Sequence, residues 1–250
     1  MGDSVKYSCA IIAGDKKRQL KRDDHGYFEH TLGAFNVYNS AGKYYPLLDS
    51  VKKMFDVGGT LRRRLDNGQC RGEFEHPAPQ PGQSLTDFIQ RVVTIKADRV
   101  SHHIASVRLE ESKDEQGRPV VLCIGRVKPS GPYGNVLNES LTNPEENVAF
   151  SIRSLTNERM GPGRRELHVT NIVTWDYVNE PGISLANKYQ TPTLESIDTD
   201  ILIPRTEMVK ARDMAGVGME DCREGISRVL TELGWETVQT VNADSNWFKW

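Results

Sequence analysis

At 250 residues, with 37% hydrophobic and 26% charged positions, the chain can bury a sizeable core but is too polar to be embedded in a membrane. Lys and Arg total 32 against 34 Asp and Glu, a net charge of -2, so no global excess draws it onto nucleic acid or anionic lipid. No segment approaches the ~20 apolar residues of a spanning helix, and the early run Cys9 to Ala13 is too short for a signal-peptide core. Lys6 stands where a myristoylation signal has Ser or Thr. The four cysteines, Cys9, Cys70, Cys123 and Cys222, form no C-x-x-C pair and read as free thiols.

In chain order, Tyr27 to Tyr38 reads as strand structure with a break near Gly33. A helix is expected next, with Pro46 at its first position and Leu47, Leu48, Val51, Met54 and Phe55 at helical spacing, until Gly58-Gly59 stops it. Ser84, with Asp87 three residues on, caps a second helix whose buried stripe is Leu85, Phe88, Ile89, Val92 and Val93. Val100 to Glu110 and Pro119 to Val127 form a hairpin, with Gly117 in its loop. A short helix follows between Gly134 and Leu141, then strands over Asn147 to Leu155 and Glu166 to Val178 around the turn Gly161-Pro162-Gly163. Beyond about Leu185 the text turns to Thr, Pro and Asp, with one helix from about Met219 to Leu233. The expected fold is α+β: a mainly antiparallel sheet or partly closed barrel surrounded by helices. Residues 1–190 are assigned to one domain, and residues 191–250 to a C-terminal tail that docks or regulates.

Three residues stand out chemically. His76 ends the extended string Gly72-Glu73-Phe74-Glu75-His76-Pro77 and opens a proline-rich loop that continues neither strand nor helix, which places an imidazole on a rigid rim. Ser151 lies in Val148 to Leu155, where alternation puts Val148, Phe150 and Ile152 on one face and Ala149, Ser151 and Arg153 on the other. A serine needs a base to take its proton, and the oxyanion it creates needs aimed donors, a role open to Arg153. Asp176, in Trp175-Asp176-Tyr177, sits at a strand end, where a carboxylate can fix the tautomer of a histidine. Each also has an ordinary structural reading, as a surface histidine, a packed strand serine and a turn-capping acid.

The strings GEFEHP, AFSIRSL and WDYVNEP, preceded by NVYNSAGKYYP, stand in the order found in the prohead core proteases of tailed myophages, which the chain resembles over about residues 30 to 190. That family is similar in fold to the herpesvirus assemblins and consists of serine endopeptidases of capsid maturation. The resemblance implies His76 as base, Ser151 as nucleophile and Asp176 as the orienting acid, with Arg153 at the oxyanion or substrate site. Assemblins use a second histidine in the third place, so His102, His103 and His168 remain rivals of Asp176. Ser154 stands where the family often has Gly. The implied substrates are scaffold or core proteins and capsid proteins, cut inside the assembling prohead in the bacterial host cytoplasm, with no metal or organic cofactor, no nucleic acid and no membrane. Homo-oligomer formation is left open.

The family's preference for an apolar-x-Glu motif directs attention to Leu109-Glu110-Glu111, Leu137-Asn138-Glu139 and Leu230-Thr231-Glu232, of which the last is the expected self-processing site. Two other readings compete. One is a catalytically silent scaffold or structural assembly protein of the same fold, indifferent to alanine at His76, Ser151 and Asp176. The other is a zinc hydrolase built from His102 and His103 with Asp98, Cys70 or Cys123, which the opposite facing of adjacent strand residues disfavours.

Overall fold

The computed structural model describes residues 4–13, 22–39, 42–114, 116–178, 201–216 and 219–235. Its longest pairing joins β8 (Ala149–Gly161) to β9 (Arg164–Val178), an antiparallel hairpin turned at Gly163, whose φ of 71° suits glycine. On one side β8 pairs with β1 (Ser4–Ala13), and β1 in turn with β10 (Ile201–Pro204). On the other, β9 meets the short β4 (Tyr44–Tyr45), which pairs in turn with β3 (Val37–Tyr38), completing a six-stranded sheet in the order β10-β1-β8-β9-β4-β3. A second sheet has the order β2-β7-β6-β5, from β2 (Phe28–Phe35), β7 (Pro119–Pro129), β6 (Val100–Lys113) and β5 (Arg71–Glu73). The expected α+β architecture is thus two mainly antiparallel sheets with helices, and among the described residues no barrel closes.

The six-stranded sheet is covered on both faces. Phe150, Ile152, Trp175 and Tyr177 point into a large core shared with Phe28, Leu32, Ile104 and Val127 of the four-stranded sheet. Val51 and Met54 of α1 (Asp49–Phe55) and Leu61 and Leu65 of α2 (Thr60–Asp66) close that core. The opposite face contributes Val5 and Leu155 to a second core with Phe88, Ile89 and Val92 of α3 (Leu85–Val93). α5 (Arg205–Asp213) and α6 (Glu220–Glu232) complete it with Met208, Ile226, Val229 and Leu230. The remaining α-helix, α4 (Gly134–Thr142), lies after β7 and buries Leu137 and Leu141 in the larger core.

Several boundaries differ from the expectation for local reasons. The first helix starts at Asp49 and not at Pro46, because the Leu47 N–H donates to Asn36 Oδ1 at 2.9 Å and holds the chain extended. Gly59 does not end helical structure: α2 begins directly after it, and a Cβ there would stand 2.3 Å from the Lys53 carbonyl, so the glycine permits the close passage of two helices. The break near Gly33 is a register shift between Thr31 and Gly33 against β7. Ser84 caps α3 as expected, its hydroxyl accepting the Asp87 N–H at 3.1 Å.

Of the expected tail, residues 191–250, the structure describes 201–216 and 219–235. Among them, β10 supplies an edge strand to the main sheet, and α5 and α6 with β10 supply half of the second core. Leu230 is fully buried in the last turn of α6, so the string Leu230-Thr231-Glu232 is not presented in extended form, and cutting there requires α6 to unfold first. No described helix is long and apolar enough to cross a membrane. Cys70, Cys123 and Cys222 are free and buried, while the side chain of Cys9 lies outside the described residues.

Candidate active site

Ser151 and Asp176 are direct cross-strand partners in the β8–β9 register. Residues directly opposite in an antiparallel pair point to the same face with their Cβ atoms about 5 Å apart, so the alternation that sends Phe150 and Tyr177 inward brings this alcohol and this acid side by side. β5 then delivers the third group. The Glu73 N–H donates to Asp176 Oδ1 at 2.9 Å, Phe74 forms a parallel bridge to Tyr177, and the Glu75 N–H donates to the Tyr177 carbonyl at 2.8 Å. Glu75 adopts φ 62°, a left-handed conformation unusual outside glycine, and this turns the chain so that the next residue, His76, lies over the pair.

The His76 ring spans the two. Its Nδ1 is 2.8 Å from Asp176 Oδ2 and its Nε2 is 2.5 Å from Ser151 Oγ. With the carboxylate ionised, Nδ1 carries the proton and donates it to Asp176, which leaves Nε2 free to accept from the serine hydroxyl. Burial by itself pushes the Asp176 carboxyl upward, but the Arg153 charge and the hydrogen bonds from His76 and Arg153 outweigh it, holding the group well below the usual carboxylate range. Such a chain of alcohol, imidazole and carboxylate can move the hydroxyl proton to the ring as the oxygen attacks an electrophile.

Arg153, expected at the oxyanion or substrate site, is placed by the structure against the carboxylate of Asp176. It is fully buried behind Asp176, with Nε donating to Oδ2 at 2.7 Å and Nη2 to Oδ1 at 2.8 Å. Its Nη1 donates to the Thr94 carbonyl at 3.2 Å, and Nη2 lies 3.1 Å from Glu73 Oε2. Being two residues from Ser151 on one strand face places it diagonal to Asp176, where a buried carboxylate captures a guanidinium more strongly than a passing oxyanion would. Ser154 follows a register shift between Arg153 and Ser154, and its hydroxyl is buried.

None of the rival histidines touches Asp176 by a hydrogen bond the structure records. His102 is buried, its Nδ1 2.9 Å from Ser101 Oγ and its ring edge-on to Phe150, and burial lowers its pKa to about 4 despite the nearby Asp176 charge. His103 pairs with Tyr27 Oη and the Gly68 carbonyl. His168 lies far along β9 from Asp176 and pairs with Glu166 at 2.9 Å. Among the described residues no group of three or more His, Cys, Asp and Glu is placed to hold a metal ion.

Glu73 had no role in the sequence reading although it lies inside GEFEHP. Its carboxylate is fully buried and accepts from the Lys96 N–H at 2.6 Å and from both Arg91 Nη atoms, Nη1 at 3.0 Å. The only signal in the sequence was a glycine next to an acid: a Cβ on Gly72 would stand 2.1 Å from the Trp175 carbonyl and 2.2 Å from His102 Cε1, so β5 can press this closely on β9 only with glycine there. A cavity of about 1040 Å³ lies elsewhere, between the far ends of β8 and β9 and the end of α6, and is lined by none of His76, Ser151 and Asp176.

The sequence profile of the Peptidase S80 family matches residues 7–233. The chain belongs to that family of peptidases. It is 34% identical over 246 residues to the capsid maturation protease of Pseudomonas phage phiKZ, an alignment covering 94% of this chain and 90% of that protein. A solved structure, that of the bacteriophage T4 capsid assembly protease, is 17% identical, covers 69% of this chain and 98% of its own, and superposes with a TM-score of 0.44. The S80 match reaches to residue 233 and so includes β10, α5 and α6.

Proposed function

We propose that this S80 peptidase is a serine endopeptidase of phage capsid maturation, with Ser151 as nucleophile, His76 as general base and acid, and Asp176 as the carboxylate that orients the imidazole. The observation that carries the reading is the unbroken run of hydrogen bonds from Ser151 Oγ through both His76 nitrogens to Asp176, assembled from the β8–β9 hairpin and the loop that follows β5. Ser151 attacks a scissile carbonyl while His76 Nε2 takes the hydroxyl proton, and the imidazolium so formed is stabilised by Asp176 across Nδ1. His76 then protonates the leaving amine, and water, activated by the same nitrogen, releases the acyl group. No step calls for a metal or an organic cofactor.

The similarity to the phiKZ capsid maturation protease supports scaffold or core proteins and capsid proteins as substrates, and the interior of the prohead as the place of action. A catalytically silent scaffold leaves the buried, fully hydrogen-bonded charge cluster behind the serine without a purpose.

Reaction with a fluorophosphonate tests the assignment. The wild-type protein is expected to gain one covalent phosphonyl group on the peptide containing Ser151, and the His76→Ala variant to gain almost none. A wild-type protein that cleaves polypeptides yet carries the adduct at another residue overturns it.

A further inference from the structure

Behind the proposed triad the charges alternate along a single path. Asp176 is clamped on both oxygens by Arg153, Arg153 Nη2 is 3.1 Å from Glu73, and the far side of Glu73 is held by Arg91. Glu73, Arg153 and Asp176 are fully buried, and Arg91 at the end of the path is 14% exposed. A guanidinium gripping the orienting carboxylate has a cost for catalysis: it cancels much of the negative field that favours a proton on His76. A second carboxylate behind that guanidinium restores the field, and a second guanidinium behind it removes part again. Glu73 also acts through its main chain, since its N–H donates to Asp176 Oδ1 at 2.9 Å.

Resting on the serine-peptidase reading above, we propose that Glu73 and Arg91 are positioning residues that set, through Arg153 and Asp176, how readily His76 takes up the serine proton. Neither touches the reacting atoms. The charged or titratable groups near His76 include Ser151 and Asp176 in contact with it, Glu75 beside it on the same loop and Arg99, which binds the Phe74 carbonyl. His102 interacts with Asp176 from β6. Substitutions at Glu73 and Arg91 replace none of these side chains, so the two residues can be varied without removing a member of the triad.

The test is the pH profile of kcat/KM for cleavage of a fluorogenic peptide cut by the wild-type protein, whose acidic limb reports protonation of the free enzyme's base. Loss of the negative charge in Glu73→Gln makes an imidazolium less favourable, so the acidic limb moves to lower pH, by about one unit for a charge some two contacts away. Loss of the positive charge in Arg91→Gln moves the limb to higher pH, by roughly half as much because Arg91 is partly solvated. Arg91→Lys keeps the wild-type limb.

Opposite displacements support the ladder. Both limbs unmoved, or both displaced the same way, overturns it, since a merely structural pair lowers rate or stability without a signed shift. Should Glu73→Gln fail to fold, Arg91→Gln alone decides, and an unmoved limb counts against the proposal. A Ser151→Ala control separates the two readings: retained cleavage in that variant removes the serine mechanism itself, whereas abolished cleavage with unmoved limbs removes only the ladder.

Discussion

Arg153 spans the carboxylate of Asp176, Nε to Oδ2 at 2.7 Å and Nη2 to Oδ1 at 2.8 Å, from a position two residues beyond Ser151 on the same strand. The same carboxylate accepts from His76 and from the Glu73 N–H. Four donated hydrogen bonds leave Asp176 one orientation, and through Nδ1 leave His76 one tautomer.

Asp176→Asn therefore has two separable consequences. An amide NH2 at this site opposes an Arg153 donor in either orientation, since Arg153 donates to both oxygens; on the Oδ2 side it also faces His76 and inverts the tautomer, and on the Oδ1 side it also opposes the Glu73 N–H. Turnover is expected to fall by roughly 10³–10⁴-fold, as when the tautomer is lost in other triads. Stability falls as well, but by less than the ~3–5 kcal/mol of a fully broken buried ion pair, because Glu73 still balances Arg153. Steady-state kinetics and urea denaturation of the same preparation measure both, and unchanged turnover removes Asp176 from the triad.

Gly72→Ala probes the pressure that brings β5 onto β9. The added methyl meets the Trp175 carbonyl and the His102 ring at little more than 2 Å, and the carbonyl is main chain that cannot rotate away. We expect a loss of about 1–3 kcal/mol or more together with a fall in kcat, since Glu73 and His76 are carried by the displaced strand. A thermal melt within a degree of the wild type contradicts this packing.

His102 contributes a pH dependence of definite sign. Its folded pKa is lowered to about 4 by burial, against an unfolded value near 6.5, so the unfolded chain binds a proton that the folded chain refuses. Stability is therefore unaffected above about pH 7 and drops as the pH falls toward 4, the loss at pH 5 being about 2 kcal/mol. In His102→Gln that portion of the acid sensitivity disappears. Denaturant titrations at pH 7 and pH 5 give the difference directly, and an equal pH 7-to-5 loss in both proteins refutes it.

Truncation tests where the catalytic unit ends. A chain stopped at residue 190 lacks Ile203, Met208, Ala211, Ile226, Val229 and Leu230, and uncovers Phe88, Ile89, Val92 and Leu155. At ~1.5–3 kcal/mol for each fully buried large apolar side chain, the loss is as large as the whole ~5–15 kcal/mol stability of a typical domain. Such a fragment should show no cooperative melt by circular dichroism. A sharp transition near that of the full chain would make residues 191–250 a separate element.

Much of the fold was legible because local chemistry and tertiary packing agree there. Ser84 with Asp87, Gly117 in its hairpin and the apolar stripe of α3 each fixed an element that the structure contains. His76, Ser151 and Asp176 were legible as types in a motif order, and strand alternation alone put Ser151 and Arg153 on one face. What alternation cannot give is the register across strands. The Ser151–Asp176 pairing, which makes them neighbours, also sets Arg153 diagonal to Asp176, where its guanidinium grips the carboxylate. Glu73 stayed silent for a related reason: its partners Arg91, Lys96 and Arg153 lie on three other segments, and nothing within GEFEHP distinguishes a buried acid from an exposed one. The polar text after Leu185 concealed β10 and α5, whose few apolar side chains make sense only against Val5 and α3, whereas the stripe of α6 was legible from about Met219 to Leu233.

The central claim is that one hydroxyl performs the bond-breaking step. The rate at which purified Ser151→Ala cleaves a polypeptide cut by the wild-type protein, at equal concentration and with matching circular dichroism, tests it most directly. A fall of at least ~10³-fold is predicted, because the alcohol has no substitute in the hydrogen-bonded run through His76 to Asp176. Cleavage within tenfold of the wild type would contradict the account.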